Sequence, residues 1–162
     1  MDERKDGFLE LLSRYQGILH KVNLVYFSGR ADREDNLQEI IYNLWKAFPN
    51  LKNRENPGSW IYSVAINTSI SRLRKKNKLD FREKMPDLPD DLDIAGRMAD
   101  DEALGLLLEG IRRLDEIDRT IMLLYLEERS YEEIALITGI TRNNVGVRIN
   151  RAKDALKKIV KF

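Results

Sequence analysis

Residues 130–158 read SYEEIALITGITRNNVGVRINRAKDALKK, and Arg142, Asn143, Asn144, Val147, Arg148 and Arg151 are the side chains in them that could contact nucleic acid. A guanidinium can bind guanine bidentately and a carboxamide can bind adenine. Both also bind phosphate, so individual bases stay unassigned. Spacing turns these residues outward. Val145, Ile149, Ala152, Leu156 and Ile159 (or Val160) recur at steps of three and four, the stripe that a helix buries. Thr141 is the candidate cap of that helix. A shorter helix precedes it, with Ser130 as cap, Glu133 completing a capping box, and Ile134, Ala135 and Ile137 inside. Gly139 sits between them, where a sharp turn favours a residue free to take positive φ. The pattern is a helix-turn-helix whose polar second helix suits a major groove. Residues 142–161 carry seven Lys or Arg against the single acid Asp154, which suits phosphate contact. The competing reading is a helical hairpin in an ordinary bundle with a solvated basic face.

The rest of the composition narrows the choice. The chain has 162 residues, enough for one ordinary domain or two small ones. A hydrophobic fraction of 43% allows real cores, and 34% charged residues implies helices with solvated faces. Net charge is only +1, so nucleic-acid binding must come from local patches. Without cysteine there are no disulfides or thiolate metal sites. His20, the only histidine, lies among Ile18, Leu19 and Val22 and reads as a helix-surface or core-edge residue. No Gly-rich phosphate loop, metal cluster or nucleophile–base pair stands out, so neither an enzyme, a cofactor nor a small-molecule substrate is expected. The longest apolar run, residues 121–126, is far short of a membrane span. The N-terminus lacks the apolar core of a secretory signal. A soluble cytoplasmic protein without membrane insertion is expected.

Phe8, Leu11, Leu12, Tyr15, Ile18, Leu19, Val22 and Tyr26 mark one face of a helix over about residues 4–27, which Ser28-Gly29 breaks. Asp32 is the candidate cap of the next helix, whose stripe is Leu37, Ile40, Ile41, Leu44, Trp45 and Phe48. Its opposite face carries Asp35, Gln38, Glu39 and Asn43, and a polar exposed face is what any amphipathic helix has. Asn56-Pro57-Gly58-Ser59 starts a third helix, with Ser59 or Asn56 as cap. That helix opens on Trp60 and ends in Arg72, Arg74, Lys75, Lys76 and Lys78. Aromatic, amide and basic groups together can hold unpaired bases, although basic helix ends are also commonplace. Residues 82–102 hold eight acids against three bases and include Pro86 and Pro89, a poor DNA ligand that reads as a linker. Beyond it, a helix from Asp101 buries Leu104, Leu107, Leu108, Ile111 and Leu114. Asp115 caps the next, with Ile117, Ile121, Leu124 and Tyr125 inside. The fold expected is all-α: two small helical domains, residues 1–79 (a three- or four-helix bundle) and 104–162 (four helices), joined by an acidic linker over 80–103.

Taken in order, Asp35-x-x-Gln38-Glu39-x-x-x-x-x-Trp45, Trp60-x-Tyr62-x-x-x-x-Asn67-x-x-x-x-Leu73-Arg74, an acidic linker, Tyr131-x-x-Ile134-Ala135 and Val145-x-x-Arg148-Ile149-x-Arg151-Ala152 resemble a bacterial RNA polymerase sigma factor of the extracytoplasmic-function group. The resemblance covers most of the chain and implies regions 2 and 4 of that family on a flexible linker. It implies that Asp35, Gln38 and Glu39 dock on the clamp coiled coil of the polymerase β′ subunit. It implies that Trp60, Tyr62, Asn67, Arg72, Arg74 and Lys75, with Asn53, Arg54, Glu55 and Asn56 in the preceding loop, open and read the promoter −10 element. It implies that Thr141, Arg142, Asn143, Asn144, Val147, Arg148 and Arg151 read the −35 element, while region 4 packs on the β flap. The partners implied are core polymerase and promoter DNA, with an anti-sigma factor as a further candidate. Two departures bear on sequence preference. Ser71 stands where the family commonly has an acid, and Gly146-Val147 replaces a common Lys-Ser pair. A dimeric helix-turn-helix regulator would leave the Asp35-Gln38-Glu39 face unexplained. A sigma mimic that sequesters an anti-sigma factor would not need Arg142, Arg148 and Arg151.

Overall fold

The computed structural model describes residues 2–52, 57–80 and 102–160, and the chain divides into two compact units, residues 1–88 and 89–162. All regular structure among the described residues is helical. The expected linker over 80–103 lies almost wholly outside them, as does Asp101.

In the N-terminal unit, α1 runs Glu3–Tyr26, α2 Arg30–Ala47 and α3 Gly58–Asp80, with a 3-10 turn over Phe48–Asn50. Asp2 caps α1 by accepting the Arg4 N–H at 3.1 Å. The first half of α1 shows one inner face, but Val22, Asn23, Leu24, Val25, Tyr26 and Phe27 are all buried, so the chain is enclosed on every side as it leaves the helix. Around that segment close Ile40 and Leu44 of α2 and Ile61, Tyr62, Ala65 and Ile66 of α3. Phe8 stacks at a tilt on Trp45 (5.1 Å between centroids) and Phe48 (5.4 Å), locking the start of α1 onto the end of α2.

Two expected caps are corrected. Helix α2 begins earlier than its acidic residues suggest, with Gly29 at the cap position. Asp32 lies in the first turn, where the helix dipole favours a carboxylate, and Lys76 of α3 takes it. Ser59 lies inside α3, because the Ile61 N–H already donates to the Pro57 carbonyl at 3.0 Å. Asn56 lies outside the described residues.

A buried polar cluster joins the three helices. Asn36 on α2 is fully buried and donates to Asn23 Oδ1 (2.6 Å) and Ser69 Oγ (2.9 Å). Asn23 in turn donates to the Arg33 carbonyl at 3.2 Å. Arg33, also buried, donates to the carbonyls of Phe27 and Ser28 and so holds the α1–α2 turn.

The C-terminal unit contains α4 (Glu102–Arg112), α5 (Glu116–Leu126), α6 (Tyr131–Thr138) and α7 (Arg142–Val160). Asp115 caps α5 by accepting the Asp118 N–H at 2.8 Å. The Arg119 guanidinium reaches back to the Arg112 carbonyl at 2.5 Å, satisfying the end of α4. Ile111, Leu114, Ile121, Leu124, Ile134, Val145, Ile149, Ala152 and Leu156 form the core. Ile117 is a correction: it is 42% exposed. It lies in the first turn of α5, and a helical side chain covers the surface N-terminal to its own Cα, which here opens to solvent.

Replacing Asn36 by Ala takes the donor from Asn23 Oδ1 in the core, while Ser69 keeps its bond to the Ala65 carbonyl, and should cost about 2–3 kcal/mol. Trp45 and Trp60, the only tryptophans, both lie in the N-terminal unit, so urea unfolding followed by their fluorescence reports on that unit alone. An unchanged midpoint would make the cluster energetically idle.

Candidate functional site

The helix-turn-helix forms as its sequence dictates. Ser130 Oγ accepts the Glu133 N–H at 3.1 Å, while the Glu133 carboxylate pairs with Arg129. Gly139 takes φ +76° and its N–H closes α6 onto the Ala135 carbonyl at 2.9 Å. Thr141 Oγ1 accepts the Asn144 N–H at 3.3 Å, starting α7. Val145 and Ile149 are fully buried, which fixes the rotation of α7. Arg142, Asn143, Asn144, Val147 and Arg151 are exposed together on its other side.

Arg148 differs from these. It is half-buried, and its guanidinium meets Asp118 Oδ1 of α5 at 3.0 Å. Arg142 pairs with Glu132 of α6 at 3.1 Å, but both side chains stay open to solvent. Lys153 leaves the polar face altogether. It donates to Tyr125 Oη at 2.8 Å and sits 4.5 Å from that ring's centre, and the hydrogen bond holds its pKa above the usual lysine value. Asp118 and Glu132 carry no local signal of this role, since nothing in their spacing connects them to residues 10 to 30 positions away.

Gly146 lies under the Tyr131 ring, with Cε2 3.5 Å from where a Cβ would stand. That is ordinary contact, so a methyl group fits.

On the N-terminal unit the expected residues differ in their surroundings. Asn67, Arg74 and Lys75 are exposed on α3 and Trp60 is half-buried. Asn67, Ser71 and Lys75, at helical steps of four, line one wall of an open groove whose other wall is Glu39, Asn43 and Lys46 of α2. Asn43 donates to Thr68 Oγ1 at 2.9 Å on its floor. Tyr62 is a correction: at 1% exposure its ring belongs to the core and offers no face to a base. Asn53, Arg54, Glu55 and Asn56 lie outside the described residues. Arg72 is half-buried and reaches Glu39 Oε2 at 2.9 Å and Asp35 Oδ2 at 3.4 Å. Gln38 is exposed beside a shallow apolar groove of Leu9, Ile41, Tyr42 and Trp45, which its own helix period did not announce because Leu9 comes from α1.

Comparison with known proteins covers both units. A family model described as sigma-70 region 2 matches residues 11–79, and one described as sigma-70, region 4 matches residues 104–156. The chain belongs to the extracytoplasmic-function sigma factors. Sigma factor SigV of Bacillus subtilis (strain 168) is 29% identical over 152 residues, covering 85% of this chain and 81% of SigV. SigW of the same organism, an extracytoplasmic-function sigma factor, is 25% identical over 174 residues, covering 95% of this chain and 89% of SigW. Two solved structures share the fold. The sigma factor RpoE, crystallised with the anti-sigma factor NepR from Bartonella quintana, matches with TM-score 0.74 at 19% identity, covering 95% of this chain and 96% of that one. CnrH, in complex with the cytosolic domain of CnrY, gives 0.68 at 18% identity, covering 95% and 87%. Sigma factors serve transcription initiation in a regulatory rather than a catalytic capacity. Among the described residues no group of three or more His, Cys, Asp or Glu could hold a metal ion, and no helix is long and apolar enough to cross a membrane.

The two glycines of this sigma factor's helix-turn-helix should respond oppositely to alanine. Gly139→Ala forces a Cβ into the left-handed region and should destabilise the unit by about 1–2 kcal/mol. Gly146→Ala, inside α7 with room for a methyl group, should stabilise it by about 0.5–1 kcal/mol. Hydrogen exchange of α6 and α7 amides reads both. Equal signs would mean that the turn, the Tyr131 contact or both are misassigned.

Proposed function

We propose that this sigma factor binds core RNA polymerase and directs it to promoters, with region 2 docking on polymerase and engaging the −10 element and region 4 reading the −35 element. The observation that supports this most is the face of α7. Its stripe from Val145 to Leu156 is buried, and Arg142, Asn143, Asn144, Val147 and Arg151 are left exposed side by side. In a major groove those amides and guanidinia have base edges within reach of their type, and Val147 offers an apolar surface to a thymine methyl. On region 2, Asp35, Gln38 and Glu39 are the residues we assign to the β′ clamp coiled coil. Trp60, Asn67, Arg74 and Lys75, with residues 53–56, are those we assign to the opened −10 strand. Region 4 packs on the β flap in the same reading. The two structural neighbours were solved with anti-sigma factors, or with a partner's cytosolic domain, which favours an inhibitory protein as a further partner. Such work places the protein in the cytoplasm.

In vitro transcription with purified core polymerase and a pool of promoter fragments tests the whole reading. Initiation at specific sites should depend on the added protein. Duplex binding by the protein alone, with no gain in initiation, would replace it with a self-sufficient regulator. Within it, Gln38→Ala should weaken core binding about tenfold with the unfolding midpoint unchanged, as expected for an exposed hydrogen-bonding residue at an interface. Asn143→Ala should lower transcription and relax preference at one −35 position, a loss of about 1–3 kcal/mol of discrimination. Wild-type preference in that variant would remove Asn143 from the reading surface.

A further inference from the structure

Arg72 lies in the basic segment that the resemblance assigns to promoter DNA, yet its surroundings are different from those of its neighbours. Ala65, Ser69, Arg72 and Lys76 follow one another on α3 at steps of four, three and four, the spacing of a single helix face. That face meets α2. Ala65 is buried, Ser69 accepts from Asn36, Arg72 binds Glu39 and Asp35, and Lys76 binds Asp32. Arg74 and Lys75 stand off this line and are exposed.

We propose, building on the polymerase reading above, that Arg72 is a positioning residue of the polymerase-docking face and not a promoter contact. Asp35 and Glu39 are one turn apart on α2, and like charges at that spacing repel. The planar fork of Arg72 lies against both and takes one oxygen from each, Oδ2 of Asp35 and Oε2 of Glu39. A carboxylate has a second oxygen with its own lone pairs, so each can accept from a partner while held by Arg72. Fixing two ionised side chains in advance lowers the ordering cost of docking. An ammonium group is a point charge on a flexible stem and cannot span both acids in the same way. The side chains are 29% exposed for Arg72, 40% for Glu39 and 62% for Asp35, so the acids, more than the arginine, are presented outward.

The test uses the full chain with core polymerase, measuring core affinity by equilibrium titration and promoter opening by permanganate reactivity at saturating core. Arg72→Gln removes the charge but keeps a polar side chain. It should weaken core binding roughly fivefold, the scale of a partly exposed ion-pair network, with promoter opening at saturation unchanged. Arg72→Lys should recover part of that loss. Combined with Glu39→Gln, the Arg72→Gln change should cost less than it does alone. Unchanged or tighter core binding would overturn the assignment, and so would lost opening with core affinity intact, which would return Arg72 to the DNA. A tryptophan-monitored unfolding midpoint that falls in step with affinity would make its role structural and also overturn it. Failure of the wild-type protein to bind core polymerase would instead sink the functional reading on which the proposal rests.

Discussion

The N-terminal unit depends on the antiparallel seam between α2 and α3. Its inner edge is apolar, with Ile40 and Leu44 against Ile61, Ala65 and Ile66. Its middle is a buried amide, Asn36 against Ser69, and its outer edge is ionic, Asp32, Asp35 and Glu39 against Lys76 and Arg72. Each layer does something different. The apolar edge supplies most of the free energy, since burying one aliphatic side chain is worth about 1.5–3 kcal/mol against at most about 1 kcal/mol for an exposed ion pair. The amide layer fixes register, because a slip of α3 by one residue would break the Asn36–Ser69 bond and leave that donor buried, while the bond to Asn23 of α1 stayed. The ionic edge contributes little stability. In the proposed docking role it decides where the charges that polymerase would meet are held.

The C-terminal unit reaches a defined geometry by other means. Its helices α4, α5 and α6 are only 8 to 11 residues long, too short to be stable alone, and local caps at Asp115 and Ser130 fix where α5 and α6 start. Glu128 even adopts φ +60°, a conformation more usual for Gly or Asn, as the chain leaves α5. The Arg129 N–H then bonds to the Leu124 carbonyl at 3.0 Å, closing the turn that aims α6. With α6 aimed and Val145 and Ile149 buried, the rotation of α7 is determined, and so is which of its side chains remain outside.

These differences explain what could be read in the sequence. The helix-turn-helix was legible almost residue by residue, because caps, the positive-φ glycine and the buried stripe are all local features with fixed spacing. The stripe of α2 was legible for the same reason. Misreadings occurred where the deciding partner is remote. Tyr62, which the resemblance assigns to promoter DNA, is 1% exposed and belongs to the core. Asp32 has the chemistry of a cap, but Lys76, 44 residues away, claims it. The period of α3 sets Arg72 in line with Ala65 and Ser69 and Arg74 off that line, but the acids that Arg72 meets lie on another helix. Which basic residues are available for a ligand is a tertiary property.

The same pairing bears on how a chain of net charge +1 would serve promoter DNA in the proposed role. Arg72, Arg142 and Arg148 each have an acidic partner within the protein at 2.9 to 3.1 Å. A phosphate must compete with those carboxylates, so the phosphate attraction that drives non-specific binding is weaker than the basic residue count suggests. For a protein acting alone that would be a handicap. For a subunit carried to DNA by a larger partner it is an advantage, since the partner supplies the general affinity and the subunit need supply only discrimination. Asn143, Asn144 and Val147 are uncharged and exposed beside the partly neutralised arginines, so in the proposed −35 role α7 would draw more on bases than on phosphates.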